Sequence, residues 1–196
     1  PGNVEGKWLW ERDNFFEKAL RTWNLKKPVI AKVQGYCLGA GFMIANLCDL
    51  IIAADNAKFG DPVVRMGGMG VEVFVHPWVL PPRKAKELLL TGDPIDAETA
   101  YQLGMVNHVV PLEELDKKTL EIAGKIANMP SFAAYMAKNS VNKAMDIMGF
   151  YNSLNAIFDT HIMVHWTDEM KNQFEQSRKT SGSIKEFIQK RDSNFN

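Results

Sequence analysis

Between Trp8 and Trp23, apolar residues fall at Leu9, Phe15, Phe16, Leu20 and Trp23 among charged ones, a spacing that predicts an amphipathic helix. Lys26-Lys27-Pro28 ends it, and the β-branched stretch Val29-Ile30-Ala31-Lys32-Val33 predicts a strand. Gly35 to Gly41 is rich in small residues and feeds an apolar run, Phe42 to Cys48, that predicts a buried helix. Leu50-Ile51-Ile52-Ala53-Ala54 predicts a second buried strand, closed by the turn residues Asp55-Asn56. The order strand, glycine turn, helix, strand is that of a right-handed βαβ crossover.

Residues 59–72 read as a loop, punctuated by Gly60, Asp61, Pro62, Gly67, Gly68 and Gly70. Helices are expected over Glu72–Leu80, Arg83–Leu90 and Asp96–Leu103, with a short strand over Val106–Val110. Three longer amphipathic helices follow, over Leu112–Asn128, Ser131–Met148 and Tyr151–Thr167. The polar stretch from Lys171 to Asn196 holds one more short helix near Ile184–Arg191. The pattern divides the chain into an α/β part, residues 1–110, and a helical part, residues 111–196.

Composition narrows the function classes. The chain has 196 residues, 46% of them hydrophobic, enough for one domain with a real core. Lysine plus arginine equals aspartate plus glutamate at 23 each, so there is no long-range pull toward nucleic acid or an anionic membrane. Neither partner is expected. Asp49 interrupts the longest apolar run, well short of a membrane span. Cys37 and Cys48 lack metal-ligand spacing and read as reduced thiols of a cytoplasmic protein, and no metal site is expected. The chain opens on Pro1-Gly2-Asn3 without a methionine or a signal peptide, so we expect its natural N-terminus not to be represented.

The candidate chemistry centres on Gly35-Tyr36-Cys37-Leu38-Gly39-Ala40-Gly41. Small residues let a ligand oxygen approach the backbone, and free N–H groups at a helix start carry partial positive charge. Such a turn suits a phosphate or a developing oxyanion. It also suits nothing more than close helix–strand packing. No Gly-Lys-Ser/Thr follows, so it is not a P-loop.

The surrounding sequence adds a resemblance. Lys27 to Gly41 resembles the stretch that builds the oxyanion hole in the crotonase (enoyl-CoA hydratase/isomerase) superfamily. Cys48 to Ala54, Phe59-Gly60-Asp61-Pro62, Leu90 to Ile95, Ala97 to Gly104, Met105 to Pro111 and Phe187-Ile188-Gln189-Lys190-Arg191 continue it in order. The likeness is weakest across residues 160–180. It implies an α/β fold, the crotonase spiral of ββα units with a C-terminal helical trimerisation region, here without its first strands. It further implies an enoyl-CoA hydratase/isomerase-like lyase acting on an acyl-CoA thioester, or else an isomerase or ring-cleaving hydrolase using Glu72 or a catalytically silent acyl-CoA binder, with no separate cofactor and a homo-oligomer that is a trimer or a dimer of trimers.

Residue by residue, the resemblance makes the Ala40 N–H, between Gly39 and Gly41, one of two donors that polarise the thioester carbonyl. The other donor belongs to an "AG.D"-type segment expected before residue 1. Two positions depart from the hydratase pattern. Met43 and Val63 stand where hydratases carry glutamates, and neither side chain can move a proton. They are read as apolar wall, with Phe74 and Trp78. Glu72, flanked by Val71, Val73 and Phe74, is the candidate for proton transfer; a helix-start acid is the plainer reading. Asp61 either joins the chemistry or bonds its own turn. His76, four residues after Glu72, would share a helix face with it and form a carboxylate–imidazole base, or else pack inertly in the acyl pocket. Arg65 supports the loop or meets a polar acyl group. Phe158 and Lys190 align with residues that bind CoA across a subunit boundary. The stripes Phe132/Tyr135/Met136 and Met145/Met148 belong to core or trimer interface.

Overall fold

The first helical stripe forms one continuous rod: α1 (Val4–Glu11) passes through a π-helical turn (Arg12–Phe16) into α2 (Glu17–Asn24). The wide turn shifts the helical register, so that Glu11 and Phe16, then Ala19, Leu20 and Trp23, are all buried. Asn3 caps the rod, its Oδ1 accepting the Gly6 N–H at 2.8 Å. The computed structural model describes residues 2–172, 175 and 182–193.

Two small sheets follow. In the first, β1 (Ile30–Val33), β3 (Leu50–Ala54) and β6 (His108–Val110) run parallel with β3 in the centre. In the second, β2 (Tyr36–Leu38) pairs parallel with β4 (Lys58–Gly60), which pairs antiparallel with β5 (Ile95–Asp96). The chain visits one sheet, then the other, then α3 (Ala40–Asn46), and returns to the first: a turn of a ββα spiral. The expected β–α–β order holds, with β1 and β3 parallel and α3 between them, but β2 is inserted before the helix. Gly35, at φ 62°, turns the chain out of the first sheet, and Tyr36–Leu38, part of the expected glycine turn, pairs with β4 instead. Ile51 to Ala54 are buried, which accounts for the unbroken apolar run of a central parallel strand.

A 3-10 turn (Pro62–Met66) and an irregular segment lead to α4 (His76–Val79), α5 (Pro82–Thr91) and α6 (Ala97–Gln102). The expected helix over Glu72–Leu80 is a second correction, since only its His76–Val79 turn forms. Side chains explain why. Asp61 accepts the Val71 N–H at 3.0 Å and Met43 Sδ the Val73 N–H at 3.4 Å, taking donors that a helix would have used. Glu72 therefore shares no helix face with His76.

The helical part comprises α7 (Leu115–Ala127), α8 (Ser131–Ile147), α9 (Phe150–Val164) and α10 (Ile184–Asp192). Helix α9 folds back onto the first rod. Phe158 is fully buried, its ring centroid 4.9 Å from Phe16 and 5.7 Å from Trp8, so the two parts of the chain share one core. Helix α8, in contrast, has no buried residue along its 17 positions. No helix among the described residues is long and apolar enough to cross a membrane.

Candidate active site

The turn at Gly39 is set by a strand on one side and a helix on the other. The Gly39 N–H donates to Gly60 O at 3.0 Å, extending the β2–β4 pairing, and Gly39 O accepts the first α3 bond, from the Met43 N–H at 3.0 Å. Between them Gly39 adopts φ 55° and ψ −117°, a conformation that L side chains rarely adopt. The N–H groups of Ala40, Gly41 and Phe42 precede that first intrahelical bond. Ala40 and Gly41 are exposed, whereas Phe42 and Met43 are buried, so the start of α3 offers backbone to its surroundings and side chains to the core. Such a helix start favours an oxygen with negative charge.

The segment after β4 folds around a carboxylate. Asp61 is fully buried; Oδ1 accepts the Val63 N–H at 3.3 Å and Oδ2 the Val71 N–H at 3.0 Å. His76, also fully buried, brings Nε2 within 3.1 Å of Oδ2 but off the line of a hydrogen bond, so both ring nitrogens lack one. Its ring stacks on Phe42 at 4.9 Å and tilts on Phe74 at 4.6 Å. With both oxygens engaged by its own loop, Asp61 fits the turn-bonding reading. His76 is packed in the interior, away from Glu72 in helical phase.

The remaining expected residues divide. Met43 Sδ accepts the Val73 N–H and so ties the residue after Glu72 to α3; Glu72 itself is half-buried. Val63 packs so tightly on Gly68 that a Cβ there would lie 2.5 Å from its Cγ1. Trp78 turns elsewhere: its indole N–H donates to Ser153 Oγ at 3.0 Å, and it lines an open cleft of about 450 Å³ with Asn46, Asp49 and Met105 at the other end of α3. Arg65 braces the loop, donating to Thr91 O at 2.8 Å and pairing with Asp93 at 2.5 Å and Asp192 at 3.4 Å. The CoA contact expected of Phe158 is corrected, since a ring fully enclosed by Phe16 and Trp8 has no face left for a nucleotide. Lys190 belongs to α10, but its side chain lies outside the described residues. Cys37 and Cys48 are free thiols; burial, with Cys48 adding to it, pushes the Cys37 thiol up to about 11.

One cluster was not foreseen. Glu11, His161 and His165 converge between α1 and the end of α9, with ligand-type atoms all within 4.8 Å of one another. His161 Nδ1 lies 3.1 Å from Gly70 O and its Nε2 3.1 Å from Glu11 Oε2. His165 Nδ1 stands 3.7 Å from Glu11 Oε1, and Lys7 Nζ 3.4 Å from the same oxygen. Burial alone would raise the Glu11 carboxyl, but the His161 bond and the charges of Lys7 and both histidines bring it below its usual value. Burial, then the neighbouring His161 and Lys7, lower His165 to about 4 against the opposing pull of Glu11. The pair His161/His165, four apart in a predicted helix, was visible in the sequence; Glu11, 150 residues from His161, was not.

Gly70 O and Val71 N belong to the same peptide group. His161 therefore holds one end of that peptide and Asp61 the other, one peptide before the one that joins Val71 to Glu72.

A family model described as enoyl-CoA hydratase/isomerase matches residues 8–196. EchA13 of Mycobacterium tuberculosis, an enoyl-CoA hydratase by name, is 47% identical over 168 residues, covering 84% of this chain and 53% of that protein. Crotonyl-CoA hydratase of Syntrophomonas wolfei is 43% identical over 124 residues, covering 62% of this chain and 47% of that protein. The crystal structure of an enoyl-CoA hydratase/isomerase from Xanthobacter autotrophicus Py2 superimposes with a TM-score of 0.90 at 31% identity, covering 100% of this chain and 72% of that one. The chain spans about half the length of the curated relatives it matches.

Proposed function

The chain belongs to the enoyl-CoA hydratase/isomerase family, and from that premise we propose that it takes part in acyl-CoA thioester chemistry through an enolate-like intermediate. The observation that carries this reading is the start of α3. The Ala40 N–H lies ahead of the first intrahelical bond, on an exposed turn held in place by the Gly39–Gly60 bond. A thioester oxygen seated there gains negative charge as a neighbouring carbon loses its proton, and the helix start stabilises it. The reaction itself invokes no cofactor, because CoA is part of the substrate.

In this reading Glu72 moves the proton. Met43 and Val63 have no titratable group, and Asp61 is occupied by its loop. A single carboxylate that removes a proton from one carbon and returns it to another performs an isomerisation, so isomerase chemistry is favoured over two-carboxylate hydration. We place the protein in the cytoplasm, in keeping with its free cysteines. We also infer a homo-oligomer, trimer or dimer of trimers. Its support is the exposed apolar set on and beside α8: Phe132 at 72%, Val141 at 60%, Ile147 at 88% and Met148 at 67% exposure.

The test is turnover of enoyl-CoA substrates by the full-length protein, assayed for both hydration and double-bond migration. Glu72→Gln is expected to lower kcat by roughly 10²–10⁴-fold with acyl-CoA affinity retained. Activity unaffected by Glu72→Gln removes Glu72 from the chemistry. Tight acyl-CoA binding with no turnover identifies instead a silent binding subunit, a reading that the apolar residues at positions 43 and 63 favour.

A further inference from the structure

We propose that Glu11, His161 and His165 form a binding site for a divalent transition-metal ion of the zinc class. A carbonyl can only accept, so the Gly70 contact at 3.1 Å requires the hydrogen of His161 on Nδ1. That leaves Nε2 directed at a carboxylate oxygen 3.1 Å away, an arrangement that needs a positive centre between or upon the two atoms. A proton on Nε2 would meet the need of His161 alone. His165 Nδ1 would remain as it is, buried and without a hydrogen bond. One cation bound by all three side chains accounts for both histidines.

The geometry suits such an ion. Two histidines four apart on a helix present their rings to one side, and here the ring centroids are 4.4 Å apart. Ligands at the usual zinc distances around a tetrahedral ion stand about 3.3 Å from one another. His161 Nε2 lies 3.1 Å from Glu11 Oε2 and His165 Nδ1 3.7 Å from Oε1 of the same carboxylate, and one ligand atom from each residue falls within 4.8 Å of the others, close enough for small side-chain shifts to close on an ion. Two imidazole nitrogens and a carboxylate are a familiar zinc donor set, with a fourth position left to water. The Gly70 carbonyl, taking the far N–H of His161, is the outer partner that fixes a ligating imidazole in its ring orientation and tautomer. The π-helical turn begins at the residue after Glu11 and sets where that carboxylate points. Lys7 opposes the ion. Its ammonium lies 3.4 Å from Glu11 Oε1, but a side chain 25% exposed can swing outward.

A metal here would clip α1 to α9 and, through His161, fix the Gly70 carbonyl, two residues before Glu72. The experiment strips the full-length protein with chelator and titrates it with Zn²⁺ by calorimetry, while Co²⁺ serves as a spectroscopic stand-in. We expect one equivalent per chain, a rise in melting temperature on binding, and visible Co²⁺ bands of a four-coordinate ion. Glu11→Gln and His165→Ala should each weaken binding by more than the roughly 10–100-fold that an outer-shell partner is worth. Lys7→Met, which removes the ammonium beside Glu11 and leaves all three ligands in place, should tighten it. Absence of Zn²⁺ binding and of Co²⁺ bands in the unsubstituted protein overturns the proposal, as does binding that survives both ligand substitutions. Should those variants fail to fold, the Co²⁺ spectrum and the Lys7→Met titration decide. None of these readouts depends on turnover, so they stand or fall apart from the acyl-CoA reading.

Discussion

Asp61 and Glu11 are both buried carboxylates, yet they hold the same peptide group in different ways. Asp61 works locally. It grips Val71, ten residues on, with one oxygen and its own turn with the other, and no solvent reaches it. Glu11 works at a distance, through His161, and only because α9 has docked against α1; at 5% exposure with Lys7 beside it, it stands near the rim. One anchor comes with its loop. The other exists only after the last long helix is in place. The segment carrying Glu72 is therefore a product of tertiary docking as well as of turn chemistry.

Three substitutions break or sharpen that contrast. The largest effect is expected from Asp61→Ala, which strands two backbone N–H groups inside the protein; urea unfolding should show a loss of about 3 kcal/mol. A loss below about 1 kcal/mol would mean that water or a shifted loop replaces the carboxylate. Next comes Gly70→Ala. At φ 144° the added Cβ is strained and would meet Phe74 at 3.0 Å, so we expect a cost of about 2 kcal/mol. Unchanged stability there would show that the peptide is not held as described. The smallest is Glu11→Gln in metal-free protein, about 1 kcal/mol, because an amide can still meet His161 and Lys7 can turn to water. If Glu11→Gln instead matched the loss seen for Asp61→Ala, the distant anchor would be the stronger one.

Much of the architecture could be read in advance because its signals are local. The β-branched run before Val33 and the apolar run from Leu50 to Ala54 both became strands, and the helices from Pro82 onward closely follow their periodicity. Pairing with a second sheet, which drew Tyr36–Leu38 out of the glycine turn, is decided by β4, 22 residues away, and leaves no local trace. The same is true of residues 72–75, where helical pattern lost to hydrogen bonds accepted by Asp61 and Met43. For the candidate site, the spacing of glycines announced the turn at Ala40, but nothing near Phe158 announced that Trp8 and Phe16 would enclose it.

Helix α8 offers a last consequence. In the oligomer proposed above, the exposed apolar side chains of this 17-residue helix, Val141 and Ile147 among them, would be covered by a neighbouring protomer. For such a molecule the free energy of folding contains a term in the logarithm of protomer concentration, so dilution alone should lower its melting point.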